Sequence, residues 1–427
     1  MEVAFLVGEF PNLSETFILS QITGLIDRGH DVHIYGRKPA DVPTHHEEVD
    51  RYNLLDQVEY IPSLPDSKGR RLQKALQLTG EIDSPEHAWR AVRALRFWRY
   101  GHIAANLQLW YAVCALGGVE RTHDVIHAHF GPNGVLAAAL RDLGVLDGAV
   151  VTTFHGADMS RYFRRRGTAQ YDFLARTGDV FLPISRRWKE RLIQVGFPET
   201  RTSTHHMGVD CDGIEFSSVA VQGTTIRLLS VARLTEKKGI EYGIRALAQI
   251  IGDPLTGSGG DLDVNVEYTI VGDGELRAQL EQLVTELNLE SNVHFTGWKS
   301  RSEVLQLLGK AHLFLAPSVT AESGDQEGIP VAIMEAMARG LPVVSTEHSG
   351  IPELVDDGTS GFLVPERDAE ALARVLQSLI ETPGRLPEMG RAGRQIVENE
   401  FNTEKLNDRL VCRYRAALSR TRRSMSS

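Results

Sequence analysis

A chain of 427 residues is too long for one hydrophobic core, and two domains of about 200 residues each are its natural division. The formal charge of -10 argues against nucleic-acid binding, and a composition with 42% apolar and 24% charged residues is that of an ordinary globular protein. Three cysteines (Cys114, Cys211, Cys412) lie too far apart for a disulfide framework or a zinc pattern, which fits a reducing cytoplasm.

The chain opens on a strand-like run, Val3–Val7, with neither a basic leader nor a cleavage site. No apolar stretch approaches the roughly 18 residues that span a bilayer. Further β-branched runs follow at Asp31–Tyr35, Val125–Ala128, Ala149–Phe154 and Val180–Ile184. A second series runs Ile226–Val231, Val266–Val271, Val293–Thr296, Leu313–Ala316 and Pro342–Ser345. Helical patterns separate these runs, so the spacing predicts an α/β fold of parallel sheets covered by helices.

The series restarts near residue 225. Residues 1–207 therefore read as one Rossmann-like domain and 225–400 as another. The Gly208–Gly213 turn and the polar Ser217–Thr225 stretch make 208–224 a linker. The remaining 401–427 form a final helix, about Thr403 to Arg420, and a basic tail. Sheets of this kind bind ligands at the carboxyl ends of their strands, so a cleft between the domains is the expected site.

Chemistry-bearing residues gather at those strand ends. Gly8 opens the first loop, Gly8 to Thr16, before a helix starting near Thr16. His127 and His129 share one face of a strand, but no third ligand is spaced near them, so they read as structural or acceptor-side residues and no metal is expected. His155 follows a strand and precedes a glycine that permits close backbone approach. In the second half, Arg233 and Lys238 follow a strand. One can fork two phosphate oxygens, and the other adds a compact charge. Gly272 (in Val271-Gly-Asp-Gly-Glu-Leu276) and Gly297 (in Thr296-Gly-Trp-Lys299) end strands where backbone groups would frame a base. An Asp-x-Asp pair, Asp261 and Asp263, sits beside the glycine-rich 256–260 insertion and is discounted as a metal site.

The most informative stretch is Glu327-Gly328-Ile329-Pro330-Val331-Ala332-Ile333-Met334-Glu335. Pro330 suits a helix start, Gly340 and Pro342 stop the helix, and Val331–Arg339 is the predicted span. Glu327 then lies in the entering loop and Glu335 inside the helix, with free first-turn N–H groups between them. An anion site with a carboxylate on either side suits a nucleotide sugar, which has phosphates in its middle and hydroxyls at both ends.

These motifs, in this order, resemble glycosyltransferase family 4, whose members have the GT-B fold. Within it, Phe10-Pro-Asn-Leu-Ser-Glu-Thr-Phe17, Ile126-His-Ala-His-Phe-Gly131 and Gly324-Asp-Gln-Glu-Gly-Ile-Pro330 resemble the bacterial exopolysaccharide and colanic-acid branch. The resemblance implies a retaining hexosyltransferase that needs no metal or other cofactor and moves a sugar from a UDP- or GDP-linked donor to a lipid-linked oligosaccharide. It assigns the donor diphosphate to Arg233 and Lys238, the ribose to Glu335 and the donor-sugar hydroxyls to Glu327. The Gly328-Ile329-Pro330 backbone would meet sugar or phosphate. His155 would lie near the reacting carbon, and Gly8 would let the first loop approach the diphosphate. That loop departs from the Gly-Gly form of many members. In this fold the last helix commonly crosses back to the N-terminal domain.

A lipid-linked acceptor calls for a surface that meets the membrane. His87 to Val113 places Arg90, Arg93, Arg96 and Arg99 three apart, amid Trp89, Phe97, Trp98, Trp110 and Tyr111. This predicts a basic interfacial stripe on an anionic membrane, and a peripheral location on the inner face of the cytoplasmic membrane. Arg161, Arg164–Arg166 and the Arg413–Arg423 end add charge. The rival readings are a nucleotide-sugar 2-epimerase of the same fold and a degenerate, non-catalytic scaffold. A dehydrogenase would need a three-glycine loop after the first strand, which is missing.

Overall fold

The structure, a computed structural model, describes residues 1–12, 15–39, 45–252 and 264–425. The Asp261–Asp263 pair, the 256–260 insertion, and Leu13 and Ser14 of the first loop lie outside the described residues, as do the side chains of Arg161, Arg165 and residues 421–425.

Two compact units divide the chain. The first comprises Met1–His205 together with the chain from Asn407 onward, and the second comprises His206–Leu406. The first holds strands β1 (Glu2–Phe10), β2 (Asp31–Pro39), β3 (Val58–Tyr60), β4 (Arg121–His129), β5 (Leu146–Phe154) and β6 (Val180–Pro183). All pair in parallel, in the order β3-β2-β1-β4-β5-β6. The second holds β7 (Thr225–Val231), β8 (Asn265–Val271), β9 (Val293–Gly297), β10 (Leu313–Ala316), β11 (Val343–Thr346) and β12 (Gly361–Val364). Its parallel order, β12-β11-β10-β7-β8-β9, is the same topology. The strands read as unbroken apolar runs because helices cover both faces of each sheet; Val3 to Val7 are wholly buried.

All ten expected strands are present. The two additions, β3 and β12, are edge strands of three and four residues. The first loop is shorter than expected, because β1 continues through Gly8 to Phe10. Its register with β2 reaches Pro39, and Lys38 reinforces it with an ion pair to Glu9 at 2.8 Å. Segment 208–224 lies on the second unit. There Val209 bridges Asn402, and Arg394 donates to the carbonyls of Cys211 and Ile214.

Five helices position the sites: α1 (Thr16–Asp27), α2 (Pro85–Ala94), α3 (Gly131–Asp142), α4 (Val331–Arg339) and α5 (Thr403–Met425). From Asn407 onward α5 belongs to the first unit, where Leu410, Val411, Tyr414 and Ala417 join the core formed by β1, α1 and their neighbours. Arg28 of α1 pairs with Asp408 at 2.8 Å. Gly24 of α1 has no room for a side chain, since a Cβ there would lie 1.9 Å from the Asn407 amide.

The stripe expected over 87–113 does not form. That stretch breaks into α2, Phe97–Tyr100, His102–Ala105 and Gln108–Leu116, with positive φ at Gly101 and Leu107 turning the chain between pieces. Arg90 is held by Glu86 and the Gly117 carbonyl, and Arg99 by Asp142 at 2.6 Å. Arg93 and Arg96 lie over the Trp89 ring. The Trp110 indole donates to the Ala75 carbonyl and is half-buried, and Tyr111 is buried with its hydroxyl on the Arg71 carbonyl, so Tyr111 does not reach the surface as expected. Trp89, Val92, Phe97 and Trp98 remain exposed. Among the described residues no helix is long and apolar enough to cross a membrane.

Candidate active site

In the second unit the strand order reverses between β7 and β10, and the loops leaving these two strands carry Arg233, Lys238 and Glu327. Helix α4 follows. Pro330 caps its start, and Gly340, at φ 100°, ends it in the left-handed conformation that glycine adopts without strain. The span predicted from Pro330 and Gly340 is the span observed.

Glu327 is buried, yet its carboxylate is ionised. Burial pushes its pKa up, but the ammonium groups of Lys238 and Lys237 pull harder, and the net value falls to about 2. Lys238 Nζ donates to Oε2 at 2.9 Å, and Lys237 Nζ lies 3.3 Å from Oε1 and 3.4 Å from Asp325. The backbone of Glu327 is also fixed. Its N–H donates to His348 Nε2 at 3.0 Å, and its carbonyl accepts from the Ser349 hydroxyl at 2.6 Å. His348 Nδ1 meets Glu366 at 2.6 Å, and Glu366 in turn accepts the Thr320 N–H. The Glu327 carboxylate thus orients two lysines, and its own amide is not available to a ligand.

The next groups are free. The N–H groups of Gly328, Ile329, Val331 and Ala332 donate to nothing among the described residues. Arg233 is exposed and makes no side-chain hydrogen bond or ion pair among them. Glu335, half-buried on α4, has no hydrogen-bond partner among them either, and burial raises its pKa against a weaker opposing pull from Arg301. A guanidinium, open amides at a helix mouth and a carboxylate without a partner among the described residues are each groups that can bind phosphate or hydroxyl groups. Gly272 and Gly297 end β8 and β9 and pair with each other, Gly272 N–H to Gly297 carbonyl, at 2.9 Å. A Cβ at Gly272 would strike the Ala232 carbonyl at 1.9 Å, so only glycine fits beside the Arg233 loop.

The other expected residues belong to the first unit. Gly8 lies within β1 with nothing near the place of a Cβ. His155 follows β5, buried between the rings of Phe17 and Phe130. Its Nε2 meets His129 Nδ1 at 3.0 Å, and the His127 ring lies 4.5 Å from that of His129. His127 is held by the Thr153 hydroxyl at 2.8 Å and by Tyr414 of α5 at 2.6 Å. Burial drives all three imidazoles toward neutrality, His127 and His155 to about 3 and His129 well below its usual value. They can donate and accept hydrogen bonds but carry no charge near neutral pH. Among the described residues no group of three or more ligating side chains is arranged to hold a metal ion.

Sequence reasoning missed Lys237, His348, Glu366 and Tyr414. Lys237 had a signal, since it adjoins Lys238. His348 lies two residues beyond β11, and its strand-end position was the available cue. Tyr414 is part of the last helix's apolar face, and nothing in the local pattern ties it to His127.

Residues 14–212 match the profile of the Glycosyltransferase Family 4 group, and residues 214–396 match that of the Glycosyl transferases group 1. The chain is 41% identical over 414 residues to Escherichia coli K12 WcaL, named as a colanic acid biosynthesis glycosyltransferase, covering 96% of this chain and 98% of that one. It is 40% identical over 403 residues to AmsK of Erwinia amylovora, an amylovoran biosynthesis glycosyltransferase, covering 94% and 96%. Among solved structures, the Anabaena HepE protein in complex with UDP and glucose shares the fold at a TM-score of 0.66 and 21% identity, covering 96% of this chain and 98% of that one.

Proposed function

This chain belongs to glycosyltransferase family 4 and has the GT-B fold, and we propose that it moves a hexose from a UDP- or GDP-sugar to a lipid-linked oligosaccharide, with retention, in exopolysaccharide assembly. The observation that carries this reading is the arrangement before α4, where a buried carboxylate aims two lysines beside open amides and an unpaired Arg233. The names of WcaL and AmsK support the pathway, and the UDP and glucose bound by HepE support the donor class.

In this reading the second unit takes the donor and the first takes the acceptor. Glu335 accepts from the ribose hydroxyls, and backbone groups at Gly272 and Gly297 frame the base. Arg233, Lys238 and the amides of Gly328 and Ile329 hold the diphosphate. As the anomeric C–O bond breaks, its electron pair moves to the diphosphate oxygen, where Arg233 and Lys238 stabilise the growing charge. Each such donor is typically worth about 2.7–4 kcal/mol in the transition state. The acceptor hydroxyl attacks from the same face, and its proton passes to the departing phosphate oxygen. Glu327 holds the lysines in position and meets donor-sugar hydroxyls. His155 serves as a neutral hydrogen-bonding group for sugar, and Gly8 leaves its strand end open to close backbone approach. The exposed Trp89, Val92, Phe97 and Trp98 face the cytoplasmic membrane and seat the protein on its inner leaflet.

Transfer of labelled sugar to membrane-extracted acceptor tests the reading. Arg233→Ala and Lys238→Ala should each lower it at least tenfold at unchanged melting temperature. Full turnover in both variants would remove the diphosphate role, and conversion of the nucleotide sugar without any acceptor would favour an epimerase.

A further inference from the structure

The first unit contains a cavity of about 600 Å³, within the range of small-molecule sites, that the donor chemistry does not use. It lies beside the carboxyl end of β2, which supplies Arg37, and the first turns of α3, which supply Pro132 and Val135. Its lining holds five arginines against one carboxylate, Asp172. Arg99 is already matched by Asp142.

The other four have no ion pair among the described residues. Arg37 is half-buried and finds only the Asn133 side-chain oxygen, at 3.3 Å. Arg71 donates to the carbonyls of Pro65 and Asp66. Arg166 donates to His102 Nδ1 at 3.0 Å, which leaves that nitrogen without a proton of its own, and Arg176 makes no side-chain hydrogen bond to a carboxylate. Burial lowers the pKa of His102, and Arg166 and Arg71 add to the effect, so the imidazole brings no further charge. Arg37, which burial desolvates and no counter-charge offsets, is costly for a fold to keep unless a ligand supplies the anion, and the other three arginines line the same cavity. Four forks match a group with many acceptor oxygens and two or more charges.

The rim adds a second property. Trp98 lines the cavity yet is 74% exposed, with Phe97 packed edge-on at 5.2 Å and 61% exposed. On the helix that carries Arg71, Leu72 and Leu76 are exposed as well. An anion pocket with an apolar rim fits an amphiphile that has an anionic head.

We infer that this cavity binds the diphosphate of a lipid-linked acceptor, with Arg37, Arg71, Arg166 and Arg176 on the phosphate oxygens. The inference rests on the glycosyltransferase reading and names the acceptor group that the first unit recognises.

Calorimetric titration of the full chain with farnesyl diphosphate and, separately, inorganic pyrophosphate tests it. The same titrations on Arg233→Ala separate this cavity from the proposed phosphate-binding groups of the second unit. Farnesyl diphosphate should bind at least tenfold more weakly to Arg37→Gln and to Arg166→Gln, and equally well to Arg233→Ala. Arg166 is exposed, so its variant keeps the test open if Arg37→Gln fails to fold. Pyrophosphate at least tenfold weaker than farnesyl diphosphate supports the lipid-linked source. Equal affinity keeps the diphosphate site but overturns the lipid assignment. No binding, or binding untouched in both cavity variants, overturns the proposal. In transfer assays the same variants should raise the acceptor KM and leave the donor KM unchanged. Failure of any nucleotide to bind would strike the donor reading and leave the cavity result standing.

Discussion

Beyond β10 in the second unit, Glu327 is buried and ionised, whereas at the ends of β4 and β5 in the first, His129 and His155 are buried and neutral. The strand order is the same in both units, and burial opposes charge in both. Partners make the difference. Two ammonium groups within 3.3 Å outweigh desolvation at Glu327, while the hydrogen bonds of His127 and His129 go to Thr153, Tyr414 and His155, none of which carries an opposite charge. The strand end of one unit therefore keeps a charged cluster, and the strand ends of the other keep a neutral polar cluster closed by a distant helix.

Removing that closure should have the largest effect. Tyr414→Ala takes out a fully buried ring and the 2.6 Å bond to His127, and should cost the first unit about 3–5 kcal/mol. Tyr414→Phe should cost about 1 kcal/mol, the worth of one hydrogen bond. Calorimetry that finds Tyr414→Ala melting like the parent would contradict the place of α5 in that core.

The matching change in the second unit acts on catalysis. Glu327→Gln keeps the shape but releases both lysines, and transfer should fall about a hundredfold, or about 2.7 kcal/mol in the barrier. Steady-state rates within threefold of the parent would mean that the lysines need no carboxylate to orient them.

Acid should separate the units. For His127 the native pKa of about 3 lies below the ordinary 6.5, so its neutral form stabilises the fold fully above pH 6.5, and the contribution is lost as pH falls toward 3. For Glu327 the native value of about 2 lies below the ordinary 4.5. Its contribution holds above pH 4.5 and is lost toward 2. The melting difference between parent and His127→Asn should therefore narrow from pH 6.5 downward, and that for Glu327→Gln only below 4.5. A common window for both would refute the contrast.

The smallest effect is expected at the surface. Phe97→Ser with Trp98→Ser should weaken binding to anionic vesicles several-fold, more than Arg96→Glu does, because the neighbouring arginines are largely engaged within the first unit. Flotation assays with the reverse ranking would restore the basic stripe.

Local patterns revealed what local rules govern. Pro330 and Gly340 bound α4 because capping acts within one turn, and ten strands were legible because a strand covered on both faces must be apolar throughout. The edge strands Val58–Tyr60 and Gly361–Val364 escaped because one is centred on Glu59 and the other opens on Gly361, so neither shows the β-branched apolar run of the others. Arginines three apart suggested a stripe over 87–113, but α2 ends at Ala94, before Arg96 and Arg99, and Arg90 and Arg99 are taken up by Glu86 and Asp142. The strand-end places of Arg233, Lys238 and Glu327, and the place of Glu335 inside α4, were legible from spacing. The His348–Glu366 brace and the Tyr414–His127 bond were not, since each joins segments that only the tertiary fold brings together.

The most direct measurement is a melting-temperature panel with UDP, GDP and ADP, on the parent and on Arg233→Ala. A nucleotide that binds should add about 2.7 kcal/mol to the native state at 100 times its dissociation constant. One of UDP or GDP should raise the parent's melting temperature by a few degrees, and the variant's by much less. No shift with any nucleotide, or an equal shift in both proteins, would contradict the claim that the second unit holds a nucleoside diphosphate through Arg233.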